Sequence, residues 1–67
     1  MTRGKVKFYN EQKGYGFIRP DEGGDDVFVH ATDLQKQGVD FIEKGDIVEF
    51  TTRDAKRGIQ VDLIQLA

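Results

Sequence analysis

Residues 13–20 read Lys13-Gly14-Tyr15-Gly16-Phe17-Ile18-Arg19-Pro20, or KGYGFIRP. As a strand, this stretch places alternate side chains on opposite faces. Lys13, Tyr15, Phe17 and Arg19 then share one face, and Gly14, Gly16, Ile18 and Pro20 the other. The large aromatics travel with the cations, the reverse of what a core-facing strand requires. DVFVH at 26–30 resolves which face is which. Val27 and Val29 point one way, Phe28 and His30 the other. A single phenylalanine in a strand normally turns inward. Turning these aromatics inward, however, would send Ile18, Val27 and Val29 into water together. The economical reading buries the valines and the isoleucine and leaves Tyr15, Phe17, Phe28 and His30 on the solvent face.

The 67-residue chain carries no cysteine, one histidine and one proline. That length suits a single domain spanning residues 1–67, with a small core and short loops. Without cysteine there is no disulfide or thiolate site, so no metal or cofactor is expected. No run approaches the roughly 20 apolar residues of a membrane helix. MTRGKVKF lacks the apolar stretch of a signal peptide, so a cytoplasmic location is expected. Net charge is −2, but it is unevenly distributed. Residues 1–20 hold five cations against Glu11 alone, a net of +4, and residues 21–67 a net of −6. A local field of this kind attracts a polyanion even when total charge does not.

Short apolar runs separated by turn residues predict an all-β fold of five antiparallel strands. They lie at about Gly4–Asn10, Gly14–Arg19, Asp26–His30, the segment IVEFTTR after Gly45-Asp46, and Ile59–Leu66. Pro20 ends the second, because it cannot donate to a ladder. Val48 and Phe50 share a face of the fourth. In the fifth, Val61 and Leu63 compete with Ile64 and Leu66 for the inside. No window keeps a helical period, although one helical turn fits near Thr32-Leu34. Five short strands hide their edges by closing into a barrel.

Exposed aromatics interleaved with cations have a specific chemistry. Flat rings stack unpaired bases at about 1–3 kcal/mol each, with little sequence preference. Lysine and arginine neutralise the phosphates and make binding salt-dependent. Lys13 and Arg19 edge the ring surface, and Phe8 with Lys7 extends it if a bulge near Lys7-Phe8 turns both outward. The acidic loop Asp21–Asp26 lacks the ligand spacing of a calcium loop and reads as a solvated hairpin. KGYG is not a P-loop. His30 lacks a nucleophile to serve, since the chain contains neither serine nor cysteine, so an enzyme is not expected.

KGYGFI at 13–18 and VFVH at 27–30 resemble the paired ribonucleoprotein motifs of bacterial cold-shock proteins. GKVKFYN at 4–10, Gly38 and EKGDIVEF at 43–50 fit the same frame, so the resemblance covers essentially the whole chain. It implies an OB-type barrel that binds single-stranded DNA and RNA, melts RNA structure, and acts in translation and antitermination. It implies a stacking surface of Phe8, Tyr15, Phe17, Phe28 and His30. It also implies polar contacts from Lys7, Asn10, Lys13, Asp26, Arg57 and Gln60. The chain departs from the family at Phe8-Tyr9, where Trp-Phe is usual. It departs again at Ala31 and Val39, where aromatics are usual, and at Gly58-Ile59-Gln60 in place of Gly-Pro-Gln. Fewer rings imply weaker or shorter-footprint binding, with Phe41 as the available substitute. An RNA recognition motif is disfavoured by Pro20 and by the missing helices. The alternative function is an OB-type protein-interaction domain. A monomer is expected, with strand exchange hinged on residues 31–45 as the alternative.

Overall fold

The computed structural model describes residues 1–56 and 58–67; Arg57 lies outside the described residues. Five strands run in chain order: β1 (Thr2–Asn10), β2 (Tyr15–Pro20), β3 (Val27–His30), β4 (Ile47–Ala55) and β5 (Gly58–Leu66). A short helix, α1 (Ala31–Lys36), follows β3 directly. The strands form a closed barrel in the order β1-β2-β3-β5-β4. Closure pairs every strand on both sides and gives the small domain its core.

All neighbouring pairs are antiparallel except β3 with β5, which meet in parallel through Phe28 and Gln60. This corrects the expectation of a wholly antiparallel barrel. After the β2–β3 hairpin the chain runs through α1 and β4 before β5 returns beside β3. That crossover sets the direction of the last strand. The helical turn expected near Thr32-Leu34 is present and extends to the six residues of α1. It is too short for an apolar period to show, and its ends are fixed by capping. Leu34 is its core anchor, 1% exposed.

The barrel interior holds Val6, Ile18, Val27, Val29, Val48, Phe50, Val61 and Ile64, with Leu34 and Ile42 closing it. Val27, Val29 and Ile18 therefore lie inside, as the alternation of KGYGFIRP and DVFVH requires. Val61 and Ile64 are both buried although they have opposite parity. The register explains this: Phe50 faces Ile64 but Thr52 faces Val61, so β5 carries an extra residue between them. The Thr51 hydroxyl accepts the Leu63 N–H there, at 3.1 Å. A bulge thus reverses the inward face halfway along β5, which no strict alternation reveals. No helix among the described residues is long and apolar enough to cross a membrane.

Candidate nucleic-acid interface

A second bulge builds the ring surface. Val6 pairs with Ile18 but Phe8 pairs with Phe17, so Lys7 is the extra residue of β1. Val6 stays in the core, and both Lys7 and Phe8 face solvent. The bulge near Lys7-Phe8 expected from the sequence is present. It needs Gly16 opposite, because a Cβ there would overlap the Phe8 carbonyl oxygen and stand 2.9 Å from Tyr9 Cα. Glycine is the residue that permits such close backbone approach.

The resulting register places the candidate residues in two rows. Phe8, Phe17, Phe28 and Gln60 are successive cross-strand partners over β1, β2, β3 and β5. Asn10, Tyr15 and His30 form the neighbouring row. Two positions along a strand is about 7 Å, so the rows lie side by side. Ring centroids are 5.5 Å apart for Phe8–Phe17 and 5.6 Å for Phe17–Phe28. Tyr15 and Phe28 lie nearly parallel, 19° apart at 6.0 Å, and His30 is 6.4 Å from Phe28. Mutual packing hides the ring edges, so these residues are half-buried apart from Phe8, which is 38% exposed. Offset-stacked and edge-to-face ring pairs are stabilised by about 0.5–1.5 kcal/mol each beyond area burial. Lys13, Tyr15, Phe17, Phe28 and His30 line one open groove of about 610 Å³.

His30 is held as much by the helix as by the strand. Its backbone is extended, φ −109° and ψ 152°, and it is the N-cap of α1. Nδ1 accepts the Thr32 N–H at 3.2 Å, with the Thr32 hydroxyl 3.1 Å away. The neutral ring therefore carries its proton on Nε2. The reciprocal half of the capping box comes from Asp33, whose Oδ2 accepts the His30 N–H at 3.2 Å. The same oxygen accepts from Gln60 Nε2 at 3.0 Å, and Arg53 Nη2 lies 3.8 Å from Oδ1. Asp33 is 4% exposed. This buried carboxylate ties two candidate residues, His30 and Gln60, to one atom. Sequence reasoning missed it; the signal was an acidic residue three positions after an N-cap.

The other polar candidates are placed as follows. Lys7 Nζ pairs with Asp26 Oδ2 at 3.0 Å, joining two of them across the end of the surface. Asn10 Oδ1 accepts the Lys13 N–H at 3.0 Å, and its carbonyl accepts the Gly14 N–H at 2.8 Å. Asn10 thus shapes the turn that presents Lys13. Arg57 falls outside the described residues. Ala31 opens α1, and Val39 packs on the core. Phe41, 51% exposed, lines a separate recess with Val39 and Leu66, away from the ring groove. The phenol of Tyr9, adjoining the bulge, is pushed above its ordinary pKa by burial and secondarily by Glu11.

The sequence profile of the 'Cold-shock' DNA-binding domain matches residues 2–66. Cold shock protein CspB of Bacillus caldolyticus is 52% identical over 60 residues, 90% of this chain and 89% of its own. The cold shock-like protein of Thermotoga maritima is 48% identical over 58 residues, covering 87% and 86%. The major cold shock protein of Micrococcus luteus is 45% identical over 60 residues, covering 90% of each. With the family profile spanning the barrel from its first strand to its last, the chain belongs to the cold-shock DNA-binding domain family, and its closed five-stranded barrel is a small OB fold.

Proposed function

We propose that the protein binds single-stranded RNA and DNA on the two registered rows, with Phe8, Tyr15, Phe17, Phe28 and His30 stacking bases. Lys7 and Lys13 meet phosphates, while Asn10, Asp26, Gln60 and Arg57 supply polar contacts. The observation that carries this reading is the continuous ring row Phe8-Phe17-Phe28, ending on an amide at Gln60. Rings accept any base, so binding is broad in sequence. The mechanism is mass action. A ligand that binds only the open strand shifts a hairpin equilibrium by RT ln(1 + [L]/Kd). The protein then acts as an RNA chaperone that lowers the stability of RNA structure, with consequences for translation and antitermination in the cytoplasm. It is a binding protein, not an enzyme, and residues 1–67 work as one domain.

The test is titration of a labelled heptathymidine and heptauridine at low and high salt, with Phe17→Ala and Phe28→Ala variants. Each variant is expected to lose about 1–3 kcal/mol of binding while staying folded. Wild-type binding should weaken as salt rises. If the wild type binds neither oligonucleotide at low salt, the protein-partner reading takes its place.

A further inference from the structure

A third row continues the surface. Two positions beyond Phe17 on the same face of β2 stands Arg19, and its cross-strand partner on β1 is Lys5. Like charges directly opposite one another are unfavourable unless an anion lies between them. The segment 43–46 adds a further cation beside them. Val6 N–H donates to the Asp46 carbonyl and Gly45 N–H to the Val6 carbonyl, both at 2.9 Å. Within that segment Asp46 Oδ2 accepts the Glu43 N–H at 2.9 Å, and the Glu43 carbonyl accepts the Asp46 N–H at 3.0 Å. Lys44 is thereby held in a fixed turn against β1. Lys5, Lys7, Arg19 and Lys44 border one recess of about 210 Å³, floored by Val6 and Gly45, and among the described residues no acidic one lines it. Its walls are aliphatic, the stems of the four cations, so the charged ends stand at the rim. Among the described residues only Lys7 of the four has a carboxylate partner, Asp26.

We infer that this recess is an additional nucleotide subsite, taking the phosphate and sugar of a nucleotide that follows those on the rings. The inference rests on the ring-surface reading and extends its footprint by a third row. The aliphatic walls suit a sugar, and the cationic rim suits the phosphodiesters on either side. Row spacing of about 7 Å along β2 lets an extended strand step from Phe17 to Arg19 without a kink. A phosphate placed between Lys5 and Arg19 further relieves the repulsion of these two exposed cations.

The experiment is an affinity series with oligothymidines of four to nine nucleotides, comparing wild type, the triple variant Lys5→Gln/Arg19→Gln/Lys44→Gln, and Lys36→Gln on α1 as a control. Removing cations from the like-charged row does not threaten folding, which a urea titration of the variant verifies. The triple variant is expected to match wild type on the shortest oligonucleotide and to stop gaining affinity about one or two nucleotides earlier. Its salt dependence on the longest should be shallower by about 0.7 in log–log slope for each phosphate no longer neutralised, with Lys36→Gln unchanged. An equal weakening at every length, or none at any, overturns the subsite. Neither result touches the rings, whose failure would be read separately as wild-type binding by Phe17→Ala and Phe28→Ala.

Discussion

Lys7 Nζ lies 3.0 Å from Asp26 Oδ2, so the cation made prominent by the β1 bulge is already engaged with an anion next to the rings. The two side chains are 57% and 30% exposed. A pair this open contributes little to stability, about 0–1 kcal/mol. Its effect is on the ligand instead, because a phosphate must displace Asp26 to reach Lys7. Asp26→Asn should therefore leave the urea midpoint nearly unchanged. Single-strand binding at a fixed low salt should tighten, because the phosphate no longer competes with a carboxylate for Lys7. Unchanged affinity in a fluorescence-anisotropy titration would show that Lys7 does not meet phosphate.

Asp33 is a different case, since its carboxylate is buried, accepts from two donors and lies 3.8 Å from the Arg53 guanidinium. Asp33→Ala leaves the His30 N–H and the Gln60 amide without their acceptor. Leaving a part-buried donor without its acceptor costs about 1–3 kcal/mol. Asp33→Asn keeps one acceptor oxygen and should cost less. Chemical denaturation orders the three proteins, and equal stability of Asp33→Ala and wild type would remove Asp33 from its assigned role.

Gly16→Ala tests the bulge. The added methyl meets the backbone at Phe8 and Tyr9 and the base of the Tyr9 ring. Overpacking of this type costs about 1–3 kcal/mol. Because the strain falls at Phe8, binding should weaken in the folded fraction as well. Retained stability together with retained oligothymidine affinity would mean that β1 can step aside without cost.

Tyr9 predicts an alkaline limb. Its folded pKa lies above the ordinary 10.0, raised by burial and then by Glu11. In the window between the two values the unfolded chain has lost the proton that the folded chain keeps. Stability is thus fully present below pH 10 and falls as pH rises beyond it. Tyr9→Phe should flatten that fall in thermal melts taken from neutral pH upward. An identical decline in both proteins would assign it to other groups.

The parts legible in the sequence were those governed by local alternation. Ile18, Val27 and Val29 had to go inside together, which left the rings of β2 and β3 outside. The conflict between Lys7 and Phe8 signalled the β1 bulge. The β5 bulge gave no comparable sign, because Val61, Leu63, Ile64 and Leu66 are all apolar and any pair could be the inner one. It is set by the Thr51–Leu63 hydrogen bond, twelve residues apart in sequence. Helix α1 was legible only as a single turn near Thr32-Leu34, because six residues are nucleated by capping and tertiary packing, not by their own propensity. Its N-cap is a histidine, an uncommon residue for that task. The linkage of Asp33 to Gln60 spans 27 positions and depends on how the barrel closes. The parallel seam between β3 and β5 is equally non-local.

That seam has a consequence for motion. Among the described residues the β3–β5 pairing is a single registered bridge, Phe28 with Gln60, whereas β4 and β5 share seven registered pairs. The barrel therefore has a preferred line of parting, and local opening follows the least-bonded boundary. Phe28 and Gln60 are also adjacent members of the row on which a strand would lie. A bound oligonucleotide spans the boundary and joins its two sides, so amide protons of β3 and β5 should exchange more slowly in the complex than those of β4. The site would then act as a clasp, its occupancy setting how often the barrel opens.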